Sequence, residues 1–355
     1  MAITVTPELA KLLDQTIAGK ASDLHIVVGV NPGIRIDGIL TPLVDEPVVD
    51  AKTATNLVLG MFDAETRDNF AQKKELDFSF GYKEYRFRAN AYFQSGTHAL
   101  SLRLIPLEIR SFTELGLPPV LERFSSSGQG LVIITGPTGH GKSTTLAAMV
   151  NQINENRQGR IITIEDPIEY VFKHKKSVVS QREVGQDTNS FARALRAALR
   201  EDPDVVLLGE MRDLESVEVA LTIAETGHLV FTTLHTNSAA QTADRIVDIF
   251  PPHQQQQIRA QLSSVLLGVV SQRLLPKIGG GRVAAVELMI ANSAVRNTIR
   301  EGKTHQLTNI IQTSAAEGMI SLDKVLAEYV SKGEITIDNA LMWSLDPKAL
   351  KMMVY

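Results

Sequence analysis

The chain has 355 residues, enough for two domains that each bury a core, and its 44% apolar and 21% charged residues are an ordinary globular balance. A net charge of -4 argues against broad electrostatic capture of nucleic acid, which needs a basic domain or stripe, although a local basic patch stays open. With no cysteine, disulfides and thiolate metal sites are excluded; with no basic-then-apolar leader and no apolar run near the ~20 residues that span a bilayer, a soluble cytoplasmic chain is expected.

In chain order, residues 7 to 19 read as a short amphipathic helix, and DLHIVVG (23 to 29) and GIRIDGIL (33 to 40) as strands around the turn signal Asn31-Pro32-Gly33. Residues 51 to 72 look helical. From Leu76 to Ile105 the pattern alternates with period two and breaks at Ser95-Gly96, as in a hairpin. This first part, 1 to 105, is therefore expected to be α+β with a mainly antiparallel sheet.

Prolines, Gly116 and a charged stretch interrupt the pattern next, which puts a linker at 106 to 112. Beyond it, apolar strands at 131 to 135, 160 to 165, 204 to 209 and 228 to 234 alternate with helix-length segments at 142 to 156, 190 to 200 and 214 to 226. That alternation predicts a parallel sheet covered on both faces. Residues 239 to 355 look mostly helical, with a strand pair around 269 to 289.

The strongest chemical signal is a G-x-x-x-x-G-K-[ST] loop that follows an apolar strand and opens a helix, built of Gly136, Pro137, Thr138, Gly139, His140, Gly141, Lys142 and Ser143, with Thr144 next. Its glycines let backbone N–H groups turn toward phosphate oxygens. The helix N-terminus adds its positive end, Lys142 reaches the β and γ phosphates, and Ser143 can ligate Mg²⁺. ATP and Mg²⁺ are therefore the expected ligands.

Three further segments sit at strand ends. In ITIEDPIEY, Glu165 and Asp166 lie at the carboxyl end of a strand, where open α/β sheets bind ligands, and Glu165 can orient and deprotonate a water; the alternative is a turn-capping acidic pair, and Glu169 is a weaker candidate. In LLGEMRD, Glu210 occupies the place of a metal-associated carboxylate, against the alternative of an ordinary strand-end acid. In TGHLVFTTLHTN, a metal pair of His228 and His235 fails on strand geometry, which leaves His228 as a hydrogen-bond donor to phosphate or as a packed histidine.

GPTGHGKST, IEDPIEY, LLGEMRD and TGHLVFTTLHTN, in this order and spacing, resemble the secretion ATPase superfamily that powers type II secretion, type IV pili and archaeal flagella. The resemblance covers essentially the whole chain. It implies a PAS-like N-terminal domain (1 to 105), a linker, and a RecA-like ATPase domain with C-terminal helices (113 to 355), six copies forming a ring. AVRNTIREGK (294 to 303) resembles the retraction branch of that superfamily, with Val295 and Thr298 as departures. The absent tetracysteine zinc site agrees with that branch.

The implied activity is ATP hydrolysis that drives pilus retraction through an inner-membrane platform protein and the pilus machinery, with the chain peripheral at the cytoplasmic face. No nucleic-acid partner is expected. The rivals are a pilus-assembly or type II secretion ATPase, a RecA-like DNA motor, and a nucleotide sensor.

The resemblance adds Arg88 and Arg103, fifteen residues apart, as phosphate-contacting arginines near Arg86; an exposed sheet face is the alternative. Of residues 294 to 301, Ala294, Val295, Thr298 and Ile299 are expected to anchor a helix from which Arg296 and Arg300 project together. His140 stands where the family most often has serine, and its backbone N–H still serves the cradle.

Overall fold

The structure, a computed structural model, describes residues 3–36, 38–106 and 108–354. The chain forms two compact units, one running to Glu108 and including Glu169–Val171, the other made of Ile109–Ile168 and the residues from Phe172 onward. Of the linker expected at 106 to 112, Leu107 lies outside the described residues.

The first unit opens with α1 (Pro7–Ala18), whose N-cap Thr6 accepts from Leu9 N–H, followed by β1 (Asp23–Ile26), β2 (Gly33–Ile36) and β3 (Ile39–Pro42). The segment expected as one strand from 33 to 40 is thus two, turned at Gly38 with φ +84°, a left-handed backbone suited to glycine; Asp37 is outside the described residues. The single helix expected over 51 to 72 is likewise α2 (Ala51–Leu59) and α3 (Ala64–Lys73), because Asp63 caps a new start.

β4 (Glu75–Tyr82), β5 (Tyr85–Gln94) and β6 (Thr97–Ile105) complete an antiparallel sheet of order β3-β2-β1-β6-β5-β4. Leu9, Leu13, Leu24, Phe70, Phe87 and Leu100 fill its core.

The second unit contains α4 (Glu122–Ser125), β7 (Gly130–Thr135), α5 (Lys142–Asn156), β8 (Arg160–Glu165), β9 (Val178–Glu183), α6 (Phe191–Ala198), β10 (Val205–Leu208), α7 (Leu214–Glu225) and β11 (Leu229–Thr233). It continues through α8 (Ala239–Asp248), α9 (Pro252–Val265), β12 (Leu266–Pro276), β13 (Arg282–Ile290), α10 (Ser293–Arg300), α11 (Leu307–Thr313), α12 (Leu322–Ser331), α13 (Ile337–Trp343) and α14 (Pro347–Val354).

The sheet order is β13-β12-β7-β11-β10-β8-β9, all neighbours parallel except the β12–β13 pair. β7, β10 and β11 are buried throughout, as expected of strands covered on both faces. The C-terminal strand pair joins this sheet beside β7 and carries a second, smaller core of Leu275, Ala285, Leu322, Leu326 and Leu350. No described helix is long and apolar enough to cross a membrane.

Candidate nucleotide site

The residues of β7 make a rigid buried strand that ends at Gly136, and the loop then turns back through Gly139 (φ +81°) and Gly141 (φ +82°) into α5. Gly136 must be glycine, since its φ is +137° and a Cβ there would collide with Gln272 O. Gly141 precedes α5 with no side-chain cap, so first-turn N–H groups are left for a ligand.

Lys142, buried at the start of α5, donates from Nζ to Gly136 O (2.7 Å), Pro137 O (2.9 Å) and His235 Nδ1 (3.3 Å). These are neutral acceptors around a buried cation. Burial pulls its pKa down, and Glu210 opposes the effect. An anion in the loop would supply the charge that the cradle lacks.

Glu210 follows β10 at the carboxyl edge of the sheet. Its Oε2 takes Arg212 Nη2 at 2.7 Å and its Oε1 takes His235 Nε2 at 3.2 Å. Burial works against the ionised carboxyl, but the Arg212 hydrogen bond and charge, together with the hydrogen bond from His235, outweigh it and hold the acid below its ordinary value. Because Lys142 can only donate, His235 Nδ1 accepts and Nε2–H faces Glu210, a neutral tautomer assigned from its partners.

His235 is placed by its neighbour: Thr236 N–H donates to Thr135 Oγ1 at 2.9 Å, and Thr135 Oγ1 also lies 2.7 Å from Thr236 Oγ1. On the other side Gln272 braces the loop, donating to His140 O (2.9 Å) and accepting from Thr145 Oγ1 (2.7 Å). His235, Gln272 and Arg273, whose Nη1 donates to Gln272 O at 3.0 Å, are site residues that the sequence reading did not select. A signal existed for His235, which ends the segment leading out of β11 at the ligand-binding edge. Nothing local marks Gln272 or Arg273, because only the pairing of β12 with β7 brings them there.

Glu165 ends β8 at the same edge, buried, and accepts from Thr163 Oγ1 (2.7 Å) and Gln181 Nε2 (3.2 Å). His228 is a correction. It precedes β11 at the amino edge of the sheet, roughly 17 Å of strand away from the phosphate loop. Its Nδ1 is within 3.0 Å of Ile223 O and 3.1 Å of Thr226 Oγ1, so within this subunit it is a strand-start histidine bound to the end of α7.

In the first unit Arg88 is exposed and directly opposite Arg103, while Arg86 donates to Ser79 Oγ. Arg103 Nε lies 2.8 Å from Oδ1 of the buried Asp23. It therefore has a structural partner that its spacing from Arg88 did not reveal.

A second correction concerns α10. Val295, Thr298 and Ile299 are buried as expected, but Ala294 is exposed and the two arginines do not project together. Arg296 turns in, donating from Nη1 to Ser263 O and Ser264 O (2.6 Å each) and from Nε to Ala291 O (2.9 Å); only Arg300 is exposed. The last carbonyls of α9 need donors, and a guanidinium supplies them.

A glycine-rich loop between a buried parallel strand and a helix, with a lysine in its mouth and an acid on the adjoining strand ends, defines a phosphate-loop nucleotide-binding protein. The chain belongs to the Type II/IV secretion system protein family, whose model matches residues 2–280. It is 48% identical over 334 residues to the type IV pilus retraction ATPase PilT of Pseudomonas aeruginosa, covering 94% of this chain and 97% of that one. It is also 48% identical over 311 residues to a twitching motility protein of Neisseria gonorrhoeae, covering 87% and 83%. A crystal structure of the pilus retraction motor PilT with bound ADP superposes with a TM-score of 0.90 at 50% identity, covering 97% of this chain and 99% of that one.

Proposed function

We propose that this chain is the ATP-hydrolysing motor subunit that powers type IV pilus retraction, with residues 1 to 105 as a PAS-like domain, 106 to 112 as linker and 113 to 355 as a RecA-like domain. It works as a homohexamer, cytoplasmic and held at the inner-membrane face by a platform protein of the pilus machinery. The observation that carries this reading is the Lys142, His235 and Glu210 chain at the mouth of a complete phosphate loop, in a chain that aligns almost end to end with a retraction ATPase.

On ATP binding, Lys142 exchanges its carbonyl partners for phosphate oxygens. Ser143 in the first turn of α5 and Glu210, both half-buried oxygen donors, suit a hard cation and would hold Mg²⁺, which neutralises phosphate charge. Glu165 orients the attacking water and accepts its proton. Arg88 and Arg103 stabilise phosphate charge, His235 holds Glu210 and Lys142 in register, and binding and release move the domains.

Steady-state ATP hydrolysis by the purified chain, with and without DNA, together with its mass by light scattering, tests this reading. Mg²⁺-dependent turnover from a hexamer and rescue of twitching in a retraction-deficient strain are expected. DNA-stimulated turnover, or none, sinks it.

A further inference from the structure

The phosphate loop is tied to the C-terminal helices through a residue flanked by two glycines. His140 sits between Gly139 and Gly141, both with left-handed backbone, so its position has to be fixed from outside the loop. Three contacts fix it. Gln272 Nε2 donates to its carbonyl at 2.9 Å, Leu274 N–H donates to its Nδ1 at 3.0 Å, and its ring meets Trp343 edge-on with centroids 4.7 Å apart. The first two come from β12, the third from the end of α13.

Trp343 is itself anchored. The next three residues close on the buried carboxylate of Asp323 in α12: Ser344 Oγ at 2.6 Å, Leu345 N at 3.0 Å and Asp346 N at 3.1 Å. The Arg273 guanidinium lies over the Trp343 ring, 5.8 Å from its centroid, and adds a cation–π contact. A path of direct contacts therefore runs from the phosphate loop through His140 and Trp343 to α12.

We propose that His140 is a positioning residue that presets the phosphate loop against β12 and Trp343, so that nucleotide in the loop is registered by the C-terminal helices α12 to α14. Serine at this position would reach neither Leu274 N–H nor the indole. The Leu274 bond requires Nδ1 to be unprotonated; burial, with Arg273, Lys142 and Arg282 nearby, keeps the imidazole neutral by lowering its pKa.

The inference rests on the nucleotide-binding reading above, and the chain carries its own reporter, since Trp343 is its one tryptophan. Titrating the full chain with ADP should shift Trp343 emission saturably. His140→Ser removes the Leu274 acceptor and the ring contact together, and should weaken ADP by about tenfold in calorimetry, the scale of one hydrogen bond and one aromatic contact. The Trp343 signal should be lost with it. His140→Asn keeps an acceptor near the Nδ1 position and should recover part of the affinity but not the signal. If His140→Ser binds ADP within twofold of the parent, or the parent's Trp343 emission does not move on saturation, the inference is overturned. A parent chain that binds no ADP at all sinks the motor reading as well.

Discussion

Replacing Arg296 by alanine removes three hydrogen bonds from a half-buried guanidinium, two of them to the last carbonyls of α9. Hydrogen bonds to a charged group are worth about 1.5–3 kcal/mol each when both partners are buried. Ser264 is exposed, and water can replace its share, whereas Ser263 is buried and its carbonyl would be left unpaired. Allowing also about 0.3–1 kcal/mol for a cation at a helix C-terminus, the expected loss is roughly 2–4 kcal/mol. Arg300→Ala, on the exposed end of the same helix, should cost under ~0.5 kcal/mol. Urea unfolding followed by circular dichroism and Trp343 emission separates the two, with the midpoint falling for Arg296→Ala alone and partly restored by Arg296→Lys. Equal midpoints for Arg296→Ala and Arg300→Ala would refute the capping role. With that division made, Arg300, exposed on the helix that resembles the retraction branch, tests whether α10 transmits work instead of doing chemistry: Arg300→Ala should keep ATP turnover within about twofold of the parent, because the site is untouched, with twitching lost in complemented cells.

Lys142→Ala should abolish ATP hydrolysis, whereas Glu210→Gln should retain ADP binding by calorimetry and lose turnover, since the charge removed there acts on the metal rather than on the loop. Glu287, buried and pushed up to about 7 from 4.5, binds a proton more tightly folded than unfolded, so its stabilising share is complete below pH 4.5 and is lost as pH rises through 7. The shift is worth on the order of 3 kcal/mol between the limits, and Glu287→Gln should flatten the pH dependence of the urea midpoint between pH 5 and 8; parallel curves would remove Glu287 from the account. Arg103→Ala takes from the buried Asp23 its nearer cation, leaving Ser22 Oγ and the more distant Arg35, and should lower stability by about 1 kcal/mol, discounted because the arginine itself is mostly solvent-facing, whereas Arg88→Ala should melt with the parent.

The parallel strands were legible because burial on both faces forces runs such as LVIIT and VVLL that little else explains. The phosphate loop was legible because its glycines are required one by one. Breaks inside apolar pattern were harder. α2 and α3 merged on paper since Met61 and Phe62, between them, are buried and continue the helical spacing, although Asp63 was there to be read as a cap. β9 escaped because VVSQRE mixes buried and half-exposed residues at a sheet edge. The sequence around His228 shows which face its side chain takes, but only the parallel pairing of β11 with β7 shows that it stands at the end of the strand away from the phosphate loop. Arg296 looked like a surface residue because the pattern of one helix cannot show that the end of another lies against it.

The strand that carries the phosphate loop is hydrogen-bonded on both sides, by β11 and β12, and none of its six residues reaches solvent. Such amides open only with the whole unit, so their exchange with deuterium belongs to the slowest class. The loop a single residue further on is half-exposed and hinged on left-handed glycines, and its amides should exchange faster than those of β7. The boundary at Gly136 thus sets a glycine-hinged loop directly on one of the stiffest strands of the unit, so that a change of shape on taking up phosphate passes into the loop and its braces, Gln272 and Trp343 among them, and is not dissipated in the sheet.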